Sequence, residues 1–150
     1  MRVLFCVDES EGAGLALARG VAWLKNADIE AVVLHVIPEV DERFRHYERL
    51  HERELREIEH LFGDEGHGLE VAVRARERLK RLGLEAERKV RDGDPAAQIL
   101  AEIREGKYDL VILASDGEGS VEDPRLGGVT DEVVRSAPSS VLVIRGGAPQ

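Results

Sequence analysis

A chain of 150 residues with 43% hydrophobic content suits one compact domain, spanning 1–150, with a core of useful size. Its formal charge of -9 repels polyanions, so nucleic acid and anionic membrane surfaces are not expected partners. No run approaches the roughly 18 apolar residues of a membrane span. One cysteine, Cys6, excludes an internal disulfide and fits a reducing cytoplasm, and the first residues enter a strand without a signal-peptide pattern. Abundant Glu and Arg, with Asn26 as the only asparagine, is a bias found in thermophilic chains.

Residues 2–8, RVLFCVD, read as a first strand, apolar through Val7. Ser10 is placed to cap the helix that follows, with Glu11 just inside it. From Ala13 to Lys25 that helix is apolar most of the way round, so it should be covered on more than one side, with Trp23 in the core or an interface. Ile29–Ile37 is the second strand, ended by Pro38, and His35 within it reads as a core histidine with a satisfied ring.

Residues 41–62 carry the pattern of a long charged helix with an apolar stripe that includes Phe44, Leu55 and Ile58. His46, His51, His60 and His67 invite a metal reading. His46 and His51 are five apart, so they diverge on a helix, and a solvated helix face is the simpler reading. GDEGHG at 63–68 breaks the pattern, and Leu69–Leu82 resumes it with Gly83 as the C′ residue. Leu84–Val90 is a third strand whose charges suit a sheet edge. Asp94 and Pro95 then start a helix with a core face of Ile99, Leu100 and Ile103.

Asp109 to Ala114 is a buried strand. A polar loop follows from Ser115 to Leu126, and Gly127 and Gly128 open a helix running from Val129 to about Ala137, with Val129, Val133 and Val134 as its apolar positions. Strand, glycine loop and helix N-terminus is an arrangement that holds phosphates, because the helix offers unpaired N–H groups and glycine lets backbone approach a ligand. Ser140–Ile144 is the last strand. The alternation implies a three-layer α/β/α fold around an open parallel five-stranded sheet. In the order 3-2-1-4-5 a ligand would sit where the order reverses, at the ends of strands one and four, beside Asp8 and Ser115.

Several stretches are similar to the universal stress protein family over essentially the whole chain. They are Val7-Asp8-x-Ser10, the L-H-V-I of strand two, Gly93-Asp94-Pro95, the D-L-V-I strand, and Ala137-Pro138 leading to Val141–Ile144. The family's nucleotide-binding branch carries G-x-x-G, nine residues, then G and Ser or Thr. Here the register is kept as Ala114-x-x-Gly117, nine residues, then Gly127-Gly128. The resemblance implies nucleotide contacts at Asp8, Val36, Leu113, Ala114, Gly117, Gly127, Gly128, Val129 and Thr130. On a purely structural reading Val36, Leu113 and Val129 are core.

Two positions depart from the pattern. Ala114 puts a methyl group where ligand and backbone would touch, and Gly128 lacks the hydroxyl that would meet a phosphate, a hydrogen bond worth about 1.5–3 kcal/mol to a charged group. Thr130 stands nearby as a partial substitute. The loop is acidic at Asp116, Glu118, Glu122 and Asp123, which disfavours a polyphosphate unless Mg²⁺ bridges the charges. Asp131 and Glu132 lie where they can satisfy the helix dipole without phosphate.

The expectation is a homodimeric stress-response protein that acts through contacts with a protein partner, with weak or lost ATP binding and no evident catalytic residue. Dimerisation would cover Val141–Ile144, an otherwise long apolar edge. The alternative is an ATP or AMP sensor with at most slow hydrolysis and Mg²⁺ only alongside ATP. A phospho-receiver is disfavoured, because only Arg145 lies near the position of the lysine it needs.

Overall fold

The structure, a computed structural model, describes residues 1–8, 11–37, 67–115 and 127–145. Gly117, the acidic loop positions Asp116 to Asp123, the expected helix over 41–62 and three of its histidines (His46, His51, His60) lie outside the described residues.

The described elements run β1 (Arg2–Val7), α1 (Glu11–Trp23), β2 (Glu30–Ile37), α2 (His67–Arg81), β3 (Ala86–Asp92), α3 (Pro95–Gly106), β4 (Leu110–Ala114), α4 (Gly128–Ser136) and β5 (Ser140–Ile144). They form one five-stranded sheet in the order β3-β2-β1-β4-β5, with every neighbouring pair parallel. The expected three-layer α/β/α architecture and the 3-2-1-4-5 order are both present, with β3 and β5 at the edges.

Each face of the sheet carries its own core. On one, Ala13, Ala16 and Leu17 of α1 and Ala75 and Leu79 of α2 pack on Val3, Phe5, Val33 and Ile112. On the other, Ile99, Leu100 and Ile103 of α3 and Val133 of α4 pack on Leu4, Val32, Leu34, Val111 and Leu113. Strands buried on both faces read as unbroken apolar runs, which is why β1, β2 and β4 show no alternation. His35 is a core residue as expected, 5% exposed. Its Nδ1 lies 2.9 Å from the Val7 carbonyl, which can only accept, so the ring proton sits on Nδ1.

Three expectations are corrected. β3 begins at Ala86 rather than Leu84. The Leu84 amide is taken by the Leu79 carbonyl and that of Gly83 by Lys80, with Gly83 at φ 92, the hydrogen-bond pattern of a Schellman end. Leu84 therefore still belongs to the helix terminus, and pairing starts two residues later, at Ala86 against Ala31.

Trp23 is not in the core, being 61% exposed. The stripe of α1 that faces the sheet is Ala13, Ala16, Leu17 and Gly20, and Leu24 continues it, leaving Trp23 to one side. Likewise the buried stripe of α4 is Thr130 and Val133, while Val129 and Val134 flank it at 39% and 41% exposure. The core reading of Val129 fails; Val36 and Leu113 are buried.

The amino ends of the strands are tied together closely. The Arg2 amide donates to Asp109 Oδ2 at 2.7 Å, and the Asp109 amide returns a bond to the Arg2 carbonyl at 2.9 Å. The Arg2 guanidinium donates to the Gly106 carbonyl and lies 4.7 Å from the centre of the Tyr108 ring. Gly106 makes room for that ring: a Cβ there would overlap Tyr108 Cε2 and Cζ. Because the ring is rigid and buried, Gly106→Ala is expected to destabilise the fold by about 1–3 kcal/mol, as overpacking does, measured by urea unfolding.

Candidate functional site

The carboxyl ends of the strands carry the candidate site. Phe5 of β1 is level with Ile112 of β4, so Asp8 and Ser115, each three residues on, leave the sheet side by side. The chain is then pinned where it turns back into α4. The Ser115 amide donates to the Ile144 carbonyl at 2.9 Å and the Gly127 amide to the Ser115 carbonyl at 2.9 Å. Thr130 Oγ1 donates to the Ala114 carbonyl at 2.8 Å. Ala114, Gly127 and Thr130 are thus brought together, with Leu113 buried beneath them and Gly128 and Val129 on the exposed side. Val36 lies two strands from β4, on β2, and Asp8 is exposed at the end of β1 between them.

Two contacts orient side chains at this helix start. The Thr130 hydroxyl donates to the Ala114 carbonyl, so in this arrangement its hydrogen is directed at the strand end. Asp131 lies in the first turn of α4, as expected, and also accepts from Arg135 Nε at 2.9 Å one turn on. Gly127 caps α4 with no side-chain hydrogen bond. What the α4 terminus offers a ligand is therefore backbone N–H and its dipole, at a place where position 128 has open space around it.

A second polar group escaped the sequence reading. Glu102 of α3 is 2% exposed and sits in the layer beneath β3. Its carboxylate accepts from Tyr108 Oη at 2.8 Å, Lys89 Nζ at 3.1 Å and Arg91 at 3.1 Å, and Arg91 also reaches Glu105. Lys89 and Arg91, two apart on β3, point to the same side, so Lys89, read from sequence as edge protection, joins Arg91 in holding a buried acid. Alternation of Lys89 and Arg91 opposite a helix bearing Glu102 was the available signal.

Burial, then the hydrogen bond to the Glu102 carboxylate, raises the Tyr108 phenol well above its ordinary value of about 10. A folded-state pKa above the unfolded one gives stability that is whole below pH about 10 and is lost as pH rises through the folded value. The stability difference between wild type and Tyr108→Phe should accordingly hold steady from neutral pH to about 9 and shrink in more alkaline buffer, as read by thermal unfolding. The buried Cys6 thiol is also pushed up, by burial and then by the Glu102 charge, which leaves it a poor nucleophile.

An open parallel sheet with a glycine-led helix at the reversal of strand order defines a nucleotide-binding class of α/β fold. The chain belongs to the universal stress protein family, whose model matches residues 1–145. It is 26% identical over 147 residues to universal stress protein YxiE of Bacillus subtilis, covering 96% of this chain and 98% of that one. Among solved structures it is similar to universal stress protein UspA from Lactobacillus plantarum, with a TM-score of 0.72, 21% identity and 97% of each chain covered. It is also similar to a universal stress protein family protein from Arabidopsis thaliana with AMP bound. There the TM-score is 0.67 and the identity 17%, over 99% of this chain and 93% of the other. Among the described residues no helix is long and apolar enough to cross a membrane.

Proposed function

We propose that this chain works as a homodimeric stress-response regulator that acts through contacts with a protein partner, and that its nucleotide site is weakened. The observation that carries the weakened site is the committed Thr130 hydroxyl beside a glycine at position 128. With no side-chain hydroxyl to give, a phosphate at the start of α4 would rely on backbone N–H groups. The motive for dimerisation is β5: an edge strand whose Val141, Leu142 and Val143 are only partly buried, with no strand paired to its outer side among the described residues. Pairing with a two-fold mate would cover it.

The second reading is an AMP or ATP sensor, with slow hydrolysis at most. It is favoured by the N-terminus of α4, where the Gly127 cap makes no side-chain hydrogen bond, and by the Arabidopsis relative that holds AMP. Native mass spectrometry of the freshly purified protein, followed by calorimetry with AMP and with Mg-ATP, separates the two. The regulator reading expects a dimer mass without carried nucleotide and no saturation below about millimolar, where binding energy is only about 4 kcal/mol. A carried nucleotide or micromolar binding establishes the sensor instead, and a monomer at micromolar concentration removes the proposed role of β5.

A further inference from the structure

A cleft of about 480 Å³ opens between α1 and α2, beside Asp8, on the face of the sheet away from α3 and α4. Of the described positions expected to touch nucleotide, Asp8 alone lines it. Its floor is apolar and largely buried: Val7, Leu17 and Ala75, with Val71 beside them. Its rim is basic, with Arg74, Arg78 and Arg81 spaced at four and three residues along one side of α2.

Arg74 pairs with Glu70 one turn back. Among the described residues Arg78 and Arg81 have no ion pair. The Arg78 guanidinium instead lies across Gly14, where a Cβ would collide with its Nη1. Gly14 is in the first turn of α1, so this guanidinium rests at the positive end of a helix dipole. An anion lying between the guanidinium and the helix start would meet both.

We propose that this cleft binds a small amphiphilic monoanion: a carboxylate held by Arg78 and Arg81, on an apolar body lying over Val7, Leu17 and Ala75. Charge selects the class. Arg74 is taken by Glu70, so among the described lining residues Arg78 and Arg81 are the cations left for a ligand, and Asp8 and Glu77 beside them disfavour a polyphosphate. The apolar floor selects against a small hydrophilic acid such as acetate. The site goes beyond the regulator reading and does not depend on it.

Decanoate, titrated calorimetrically into the full chain, is the probe. Saturable binding is expected, weakened roughly tenfold or more by Arg78→Ala, as loss of a charge-assisted contact does. Gly14→Ala supplies an independent variant. It displaces only the end of a flexible side chain while favouring the helix, so Tm should hold or rise as decanoate affinity falls by a comparable factor. Decanol should bind more weakly than decanoate, and AMP should not displace decanoate. No saturable binding, wild-type affinity in both variants, equal binding of decanol, or displacement by AMP would each overturn the proposal.

Discussion

Replacing Glu102 with alanine is expected to cost about 3 kcal/mol, which in a chain of this size lowers Tm by roughly 6–12 °C. The loss has two sources. Removing a carboxylate that is 2% exposed leaves a cavity beneath the sheet, and it strands the Tyr108 hydroxyl, itself in a buried residue, without its acceptor. The two cations contribute less. The side chains of Lys89 and Arg91 are 34% and 23% exposed and can turn to water, and Arg91 keeps Glu105. Glu102→Gln separates shape from charge. Its amide oxygen still accepts from Tyr108 and fills the space, so its cost should be nearer about 1 kcal/mol. Urea unfolding of both variants provides the check, and an alanine variant within about 1 kcal/mol of wild type would show that the acid is incidental to the fold.

Gly128→Ser is expected to tighten AMP binding by about tenfold or more, since a donor to a charged group contributes about 1.5–3 kcal/mol. The position is suited to it. A Cβ at 128 meets nothing within 4 Å, and the residue opens α4, where a serine costs the helix nothing relative to glycine. The Thr130 hydrogen is directed at the Ala114 carbonyl, so the effect is expected to read the new hydroxyl at 128. Calorimetry on wild type and variant reads the change directly. An affinity unaltered within about twofold would mean that the phosphate does not approach this turn of helix.

The sequence carried the layer order because each central strand is a single apolar run, and because Asp94-Pro95 and Gly83 mark helix ends by local chemistry. It misplaced the start of β3 because Leu84 has an apolar side chain suited to a strand, while its backbone amide is spent on Leu79. The core readings of Trp23 and Val129 failed because side-chain type says nothing about which stripe of a helix meets the sheet; small Ala13, Ala16 and Gly20 took that role in α1. Glu102 was missed because its cationic partners are distant in sequence, thirteen and eleven residues away in β3, and only their alternation pointed to it. At the site, the glycine register was legible, but the engagement of Thr130 with Ala114 was not, since a hydroxyl's partner depends on how the strand end meets the helix.

The reciprocal bonds of Arg2 and Asp109, with Arg2 laid over Tyr108 and the terminal ammonium donating to the Asp28 carbonyl at 3.0 Å, place much of the cross-strand fastening at the amino rim of the sheet. The opposite rim, where Asp8 and Ser115 emerge, can then exchange ligand-facing residues at small thermodynamic risk. Residues there can change without threatening the scaffold, so one backbone can carry different binding surfaces while its foundations stay unchanged.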